Sequence, residues 1–309
     1  MNLRRSNPSA TTRFLAFAAP LAAAAAMLSV PGEASAQPSE RDMFVSVLDR
    51  SDAPVLTLAP EDFVVHEDGR IREVIRARRA SDVLDVAILV DTSQALGTSV
   101  SDVRKGIEAF AVRMGARARL AIVGFGDRPT VLSPYSTSPE SLARGLGLIF
   151  PIAGAGAYTL DAVEDTLTGF DAARPERAAV VVVWAGGREF GSETDARLVE
   201  RLEASGTALH VVAIGGGVPA DVNTTEGRHR ESLFDRGTLA TGGRRVNILS
   251  SMAMTDALER LAAELLGQYR ITFVRPDSLI PPRKTEVAVR PEGLTARGML
   301  APVRAAGRQ

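Results

Sequence analysis

Cysteine is absent from the 309 residues, histidine occurs three times, tryptophan once, and the formal net charge is only −1. Each scarcity removes a class of chemistry. Without cysteine there is no disulfide framework, thiolate nucleophile or thiolate-bound metal, so stability must come from a buried core. His66, His210 and His229 lie far apart with no paired spacing, which argues against a structural zinc and against histidine-based catalysis. Interspersed, nearly neutral charge leaves no footprint for nucleic acid, whose binding depends on neutralising phosphates. The glycines at 154–156, 186–187 and 215–217 lack the Gly-x-Gly-x-x-Gly spacing and the Gly-Lys-Ser/Thr ending of nucleotide loops.

What is present begins with an export signal. Arg4, Arg5 and Arg13 precede an apolar, alanine-rich run over 14–30, and Ala34-Ser35-Ala36 follows it. This is the pattern of a secretory signal peptide over residues 1–36, with cleavage expected after Ala36. Arg4-Arg5 hints at twin-arginine export, but Ser6 and Asn7 do not continue that pattern. The run is short and broken by Pro20, so no transmembrane anchor is expected after cleavage, and the destination is periplasmic or secreted. Removing Arg4, Arg5, Arg13 and Glu33 from 36 basic and 37 acidic residues leaves 33 against 36.

Residues 83–268 alternate strand-like and helix-like segments. Val86 to Val90 and Ala178 to Trp184 are continuous apolar runs, as expected of strands covered on both faces. Val103, Ile107, Phe110 and Met114, and later Met254, Leu258, Leu261 and Leu265, recur at helical spacing. Ser192, with Asp195 three residues on, predicts a helix cap. The expected fold is α/β: a doubly wound, mostly parallel sheet with helices on both faces. Residues 37–82 and 269–303 read as β flanks, with Asp68-Gly69 as a turn. Neither has enough residues for a core alone, so they are expected to pair as one small β layer. The tail over 304–309 is expected to be disordered.

The first strand of the central block ends in VAILVDTSQAL, and a later helix opens from GAGAYTLDAV. These two segments resemble signature regions of the von Willebrand factor type A domain. APEDFVVHEDGRIREV, LGQYRITFVRP and EVAVRPEGLTARG resemble the flanks of an exported bacterial group related to it. The resemblance implies a metal-ion-dependent adhesion site, with Asp-x-Ser-x-Ser after the first strand, a threonine before a later helix and an aspartate after the fourth strand. Carried over, the first two ligands fall on Asp91 and Ser93. The second serine falls on Ala95, the threonine on Ala157 and the aspartate on Gly186. Alanine and glycine bring no side-chain oxygen to a hard cation that demands several. The expectation is therefore a degenerate site with no cofactor, Asp91 being satisfied by backbone N–H groups. The alternative is Mg²⁺ or another divalent cation held by Asp91 and Ser93 with help from Thr159, Glu189, Asp161 or Asp127.

Ser93 is not in a Gly-x-Ser-x-Gly turn and has no histidine nearby in sequence, so no enzyme activity is expected. The leading expectation is a noncatalytic, extracytoplasmic protein-protein interaction module that works without metal. The alternatives are metal-assisted adhesion through a reduced site and a passive structural role in an envelope assembly. The crevice at the carboxyl ends of the strands is the expected contact edge, with Gln94, Tyr158, Thr159 and Glu189 as partner-binding candidates and Trp184 as core or anchor. Arg78-Arg79 and Arg244-Arg245 are open between surface charge and an acidic partner.

Overall fold

The computed structural model describes residues 39–215, 219–276 and 280–302. The expected signal peptide and the 304–309 tail lie outside those residues. In chain order the elements are β1 (Ser39–Leu48), β2 (Phe63–Glu67), β3 (Arg70–Arg72), β4 (Val74–Arg79), β5 (Leu84–Val90), α1 (Val100–Met114), β6 (Ala118–Gly124), β7 (Thr130–Ser136), α2 (Pro139–Gly147) and α3 (Thr159–Ala173). There follow β8 (Arg177–Trp184), α4 (Asp195–Ser205), β9 (Thr207–Ile214), α5 (Thr225–Ser232), α6 (Thr238–Ala240), β10 (Arg245–Ile248), α7 (Met254–Gly267), β11 (Tyr269–Arg275), β12 (Thr285–Val289) and β13 (Thr295–Leu300).

Every residue of β5 and β8 is buried, which is why their sequences carry no alternation. They form the centre of a six-stranded sheet in the order β10-β9-β8-β5-β6-β7. All neighbours are parallel except β7, which runs antiparallel to β6 at the edge. The apolar stripes of α1 and α7 cover one face. They approach closely because Gly106 has no side chain: a Cβ there would lie 2.7 Å from Met254 Cγ. Leu160, Val163 and Leu167 of α3 and Leu198 and Leu202 of α4 cover the other face, together with Leu233 and Phe234.

The flanks form the expected small β layer, built as two antiparallel sheets. One has the order β13-β1-β11-β4 and the other β12-β2-β3. Met43, Val45, Val47, Phe63, Val65, Tyr269, Ile271 and Phe273 make a core of their own, with Phe63 and Tyr269 edge to face at 5.2 Å. Pairing β1 with β11 therefore gives two short flanks one shared interior, which neither could fill alone.

The tandem arginines are engaged within the chain. Arg244 meets Asp52 at 3.2 Å and buried Glu264 at 3.3 Å, while Arg245 meets Glu231 and Asp235 at 2.8 and 3.0 Å. Arg79 donates to the Leu266 carbonyl and Arg78 faces Asp82. Ser192 is not a helix cap. α4 starts at Asp195 after Thr194, and Ser192 instead donates from its N–H and hydroxyl to Asp161 Oδ1. The Asp195 carboxylate is taken by His229, Ser232 and Arg236 from further along the chain.

Candidate functional site

The carboxyl end of β5 turns sharply at Asp91-Thr92-Ser93, and all three side chains are buried. Asp91 Oδ1 accepts the Ser93 N–H at 2.9 Å. Its Oδ2 accepts two N–H groups from the segment after β8, Ala185 at 3.0 Å and Gly187 at 2.9 Å. Ser93 Oγ accepts the Ala95 N–H and caps the 3-10 turn Gln94–Ser99. Thr92 Oγ1 accepts the Gly126 N–H at 2.8 Å. Gly187 is required here for space: a Cβ would lie 2.4 Å from Ser93 Oγ and 2.9 Å from Asp91 Oδ2.

A loop over 149–158 is laid across this corner. Ile152 N–H bonds the Thr92 carbonyl, Gln94 N–H bonds the Ala155 carbonyl, and Gly154 N–H bonds Gln94 Oε1. Ala157 then lies between two extended segments, bridging Gly126 on one side and Glu189 on the other. Its N–H bonds the Arg188 carbonyl at 2.7 Å and its carbonyl accepts from Phe190 at 2.8 Å. The segment 185–191 is thus fastened to Asp91, to Ala157 and, through Glu189 N–H, to Asp221 Oδ2 at 2.7 Å.

The positions carried over from the family pattern converge in space. A Cβ on Gly186 would lie 4.0 Å from Ala95 Cβ, and one on Gly187 would lie 2.9 Å from Ala157 Cβ. The residues present nevertheless do not fit a hard divalent cation. Ala95, Ala157 and Gly186 offer no side-chain oxygen, and the Asp91 carboxylate is aimed at three N–H donors rather than into open space. No group of three or more His, Asp or Glu side chains able to hold a metal occurs among the described residues. Asp161 Oδ1 is bonded to Ser192, and Asp127 is exposed on a turn with positive φ.

Glu189 lies on the other side of Ala157, 1% exposed. Its Oε1 accepts the Gly191 N–H at 3.1 Å and the Leu160 N–H at 3.4 Å, in the first turn of α3. Burial pushes its pKa up to about 7, against the opposing pull of the Thr159 hydroxyl, Arg230 and those N–H groups. Beneath the segment, fully buried Arg230 grips Asp221 with bonds of 2.6 and 2.9 Å and lies 4.4 Å from the Trp184 ring centroid. Burial alone would raise Asp221, but the bonds from Arg230 and from Glu189 N–H outweigh it and hold the carboxyl below its ordinary range.

Of the partner-binding candidates, Gln94 is exposed, Tyr158 is half-buried, and Thr159 and Glu189 are buried. Trp184 is core, 6% exposed, with its Nε1 donating to the Gly187 carbonyl. The exposed aromatics at this edge are two that the sequence reading passed over. Phe190 is 47% exposed and stacks on Tyr158 at 6.2 Å, and Phe150 is 57% exposed beneath Arg104. An aromatic in the glycine-bordered run GGREFG, shortly after a buried strand, was the available signal. His210 is buried in mid-strand, paired in register with Val181, which places it well short of the carboxyl edge where Ser93 lies.

Residues 85–237 match the family model of the von Willebrand factor type A domain. The central domain of this chain belongs to that family. Among solved structures, the chain is similar to a von Willebrand factor type A protein from Catenulispora acidiphila, at 12% identity and TM-score 0.49, covering 86% of this chain and 74% of that one. BatB from Bacteroides thetaiotaomicron is similar at 17% identity and TM-score 0.44, over 59% and 98% of the two chains. Proximal thread matrix protein 1 from the mussel byssus is similar at 12% and 0.47, over 69% and 51%. No curated protein matches the sequence. No helix among the described residues is long and apolar enough to cross a membrane.

Proposed function

We propose that this protein is a noncatalytic, extracytoplasmic protein-interaction module whose docking needs no metal ion. Membership of the von Willebrand factor type A family supports an interaction role, and the signal-peptide pattern over 1–36 supports export. The observation that carries the metal-independent part is the Asp91 carboxylate, saturated by the N–H groups of Ser93, Ala185 and Gly187. Those bonds tie the strap over 185–191 to the end of β5, so the carboxylate shapes a contact surface. A noncatalytic reading is supported at the same corner, where Ser93 Oγ is occupied as a cap and His210 is buried in mid-strand away from it.

The reading is tested by chemical crosslinking in cells that make the protein at native level, with and without chelator in the medium. A specific envelope protein recovered equally in both conditions is expected. Loss of that partner on chelation overturns the metal-independent part, and absence of any specific partner overturns the interaction module itself.

A further inference from the structure

Beside the strap, Gly186, Arg188, Ala220, Asp221 and Thr224 line a cavity of about 280 Å³. That is just below the usual span of small-molecule sites, roughly 300–1,000 Å³, and suits one side chain of a larger partner. We propose that this cavity seats an acidic side chain of the docking protein, with the Arg188 guanidinium as its counter-charge and Phe190 as the platform for an adjacent apolar residue. The proposal rests on the interaction-module reading and names the chemistry of the partner.

The electrostatics select an acid. Asp221 lines the cavity, but its charge is already met by both terminal nitrogens of Arg230 and by the Glu189 N–H. Arg188 is exposed and has no carboxylate partner among the described residues, which leaves it as the uncompensated charge of the lining. Its guanidinium lies 5.2 Å from the Phe190 ring centroid. Stacked in this way, a planar guanidinium keeps its edge N–H groups free for a two-point bond to a carboxylate.

The platform is held in place before any partner arrives. Strap N–H groups at Ala185, Gly187, Glu189 and Phe190 are all bonded to fixed acceptors. The Phe190 ring lies over Gly156, where a Cβ would approach it to 2.2 Å, and against Tyr158. Little ordering is left to oppose binding, and a half-exposed aromatic on a rigid backbone is the usual form of an anchor. Gly186, at φ +101, keeps the cavity lining free of a side chain at the position where the family pattern has an aspartate. An aspartate there would set a negative charge against an acidic ligand.

The test is selection of random heptapeptides displayed on phage against the purified protein in the presence of EDTA. Selected sequences are then remade as C-terminally amidated peptides and titrated by fluorescence polarisation. Enrichment of Asp or Glu next to an aromatic or large aliphatic residue is expected. Affinity should fall roughly tenfold in Arg188→Ala, and equally when the peptide acid is replaced by its amide. Arg188→Lys should retain part of the binding, and Phe190→Ala should weaken it while circular dichroism shows the fold retained. Peptides without an acid, or full affinity in Arg188→Ala, overturn the proposal. If such peptides still compete with the crosslinked envelope partner, the module reading stands without this site.

Discussion

Two buried carboxylates, Asp91 and Glu189, sit on either side of Ala157 and are treated differently by the fold. Asp91 receives three short N–H bonds from two segments, whereas Glu189 receives two longer ones and is pushed up to about 7 by burial. The difference lies in what surrounds each group. Asp91 stands where the turn after β5 and the strap after β8 both expose N–H groups, so it organises backbone. Glu189 faces the first turn of α3 with less donor support than a buried charge requires. One carboxylate acts as a fixed structural acceptor, and the other is poised to titrate near neutrality.

Breaking the first half of the comparison should give the largest effect. Asp91→Ala strands three N–H groups, two of them buried, and should cost about 3 kcal/mol or more in urea unfolding, with or without Mg²⁺. A cost that appears only when Mg²⁺ is present would reassign Asp91 to a metal.

The second half is sharpened by pH. Glu189 has a folded pKa of about 7, above its ordinary 4.5, so its contribution is fully present below 4.5 and is lost as pH rises through about 7. The span corresponds to roughly 3 kcal/mol. His210 has the opposite slope. Burial lowers it from 6.5 to about 4, so the stability it contributes is present above 6.5 and is lost as pH falls toward 4. The two slopes oppose each other over overlapping windows in the native protein. Glu189→Gln should unmask stability that rises from about pH 4 to 6.5, and His210→Phe should unmask stability that falls from pH 4.5 to about 7, both read from unfolding midpoints. Profiles that stay flat in both variants would contradict the assignment.

The smallest effect is expected at the rim. Arg188→Ala should leave unfolding free energy within about 0.5 kcal/mol of native, because the side chain is exposed, has no carboxylate partner among the described residues and touches only the exposed Phe190 ring loosely. A larger loss would make Arg188 structural and remove it from the contact surface.

How far the sequence disclosed this arrangement depends on the range of the interactions. Continuous apolar runs revealed β5 and β8, and the spacing of Val103, Ile107, Phe110 and Met114 revealed α1, because both signals are local. Asp91 was also legible, since it stands where a buried strand ends. Glu189, Phe190 and Asp221 were harder to place, because their roles come from partners such as Leu160, 29 positions away, and the Glu189 N–H, 32 away. Ser192 followed a capping pattern that Asp161, brought in from α3, overrode. The division of the flanks into two sheets follows from β2 pairing with β12 while β1 pairs with β11, a choice that alternation within each strand does not encode.

The central claim is that Asp91 serves the backbone and not a cation. It is tested most directly by isothermal titration of chelator-stripped protein with Mg²⁺. No binding heat above dilution is the predicted result. Stoichiometric binding that disappears in Asp91→Ala would contradict the account and restore a metal-assisted docking site at the end of β5.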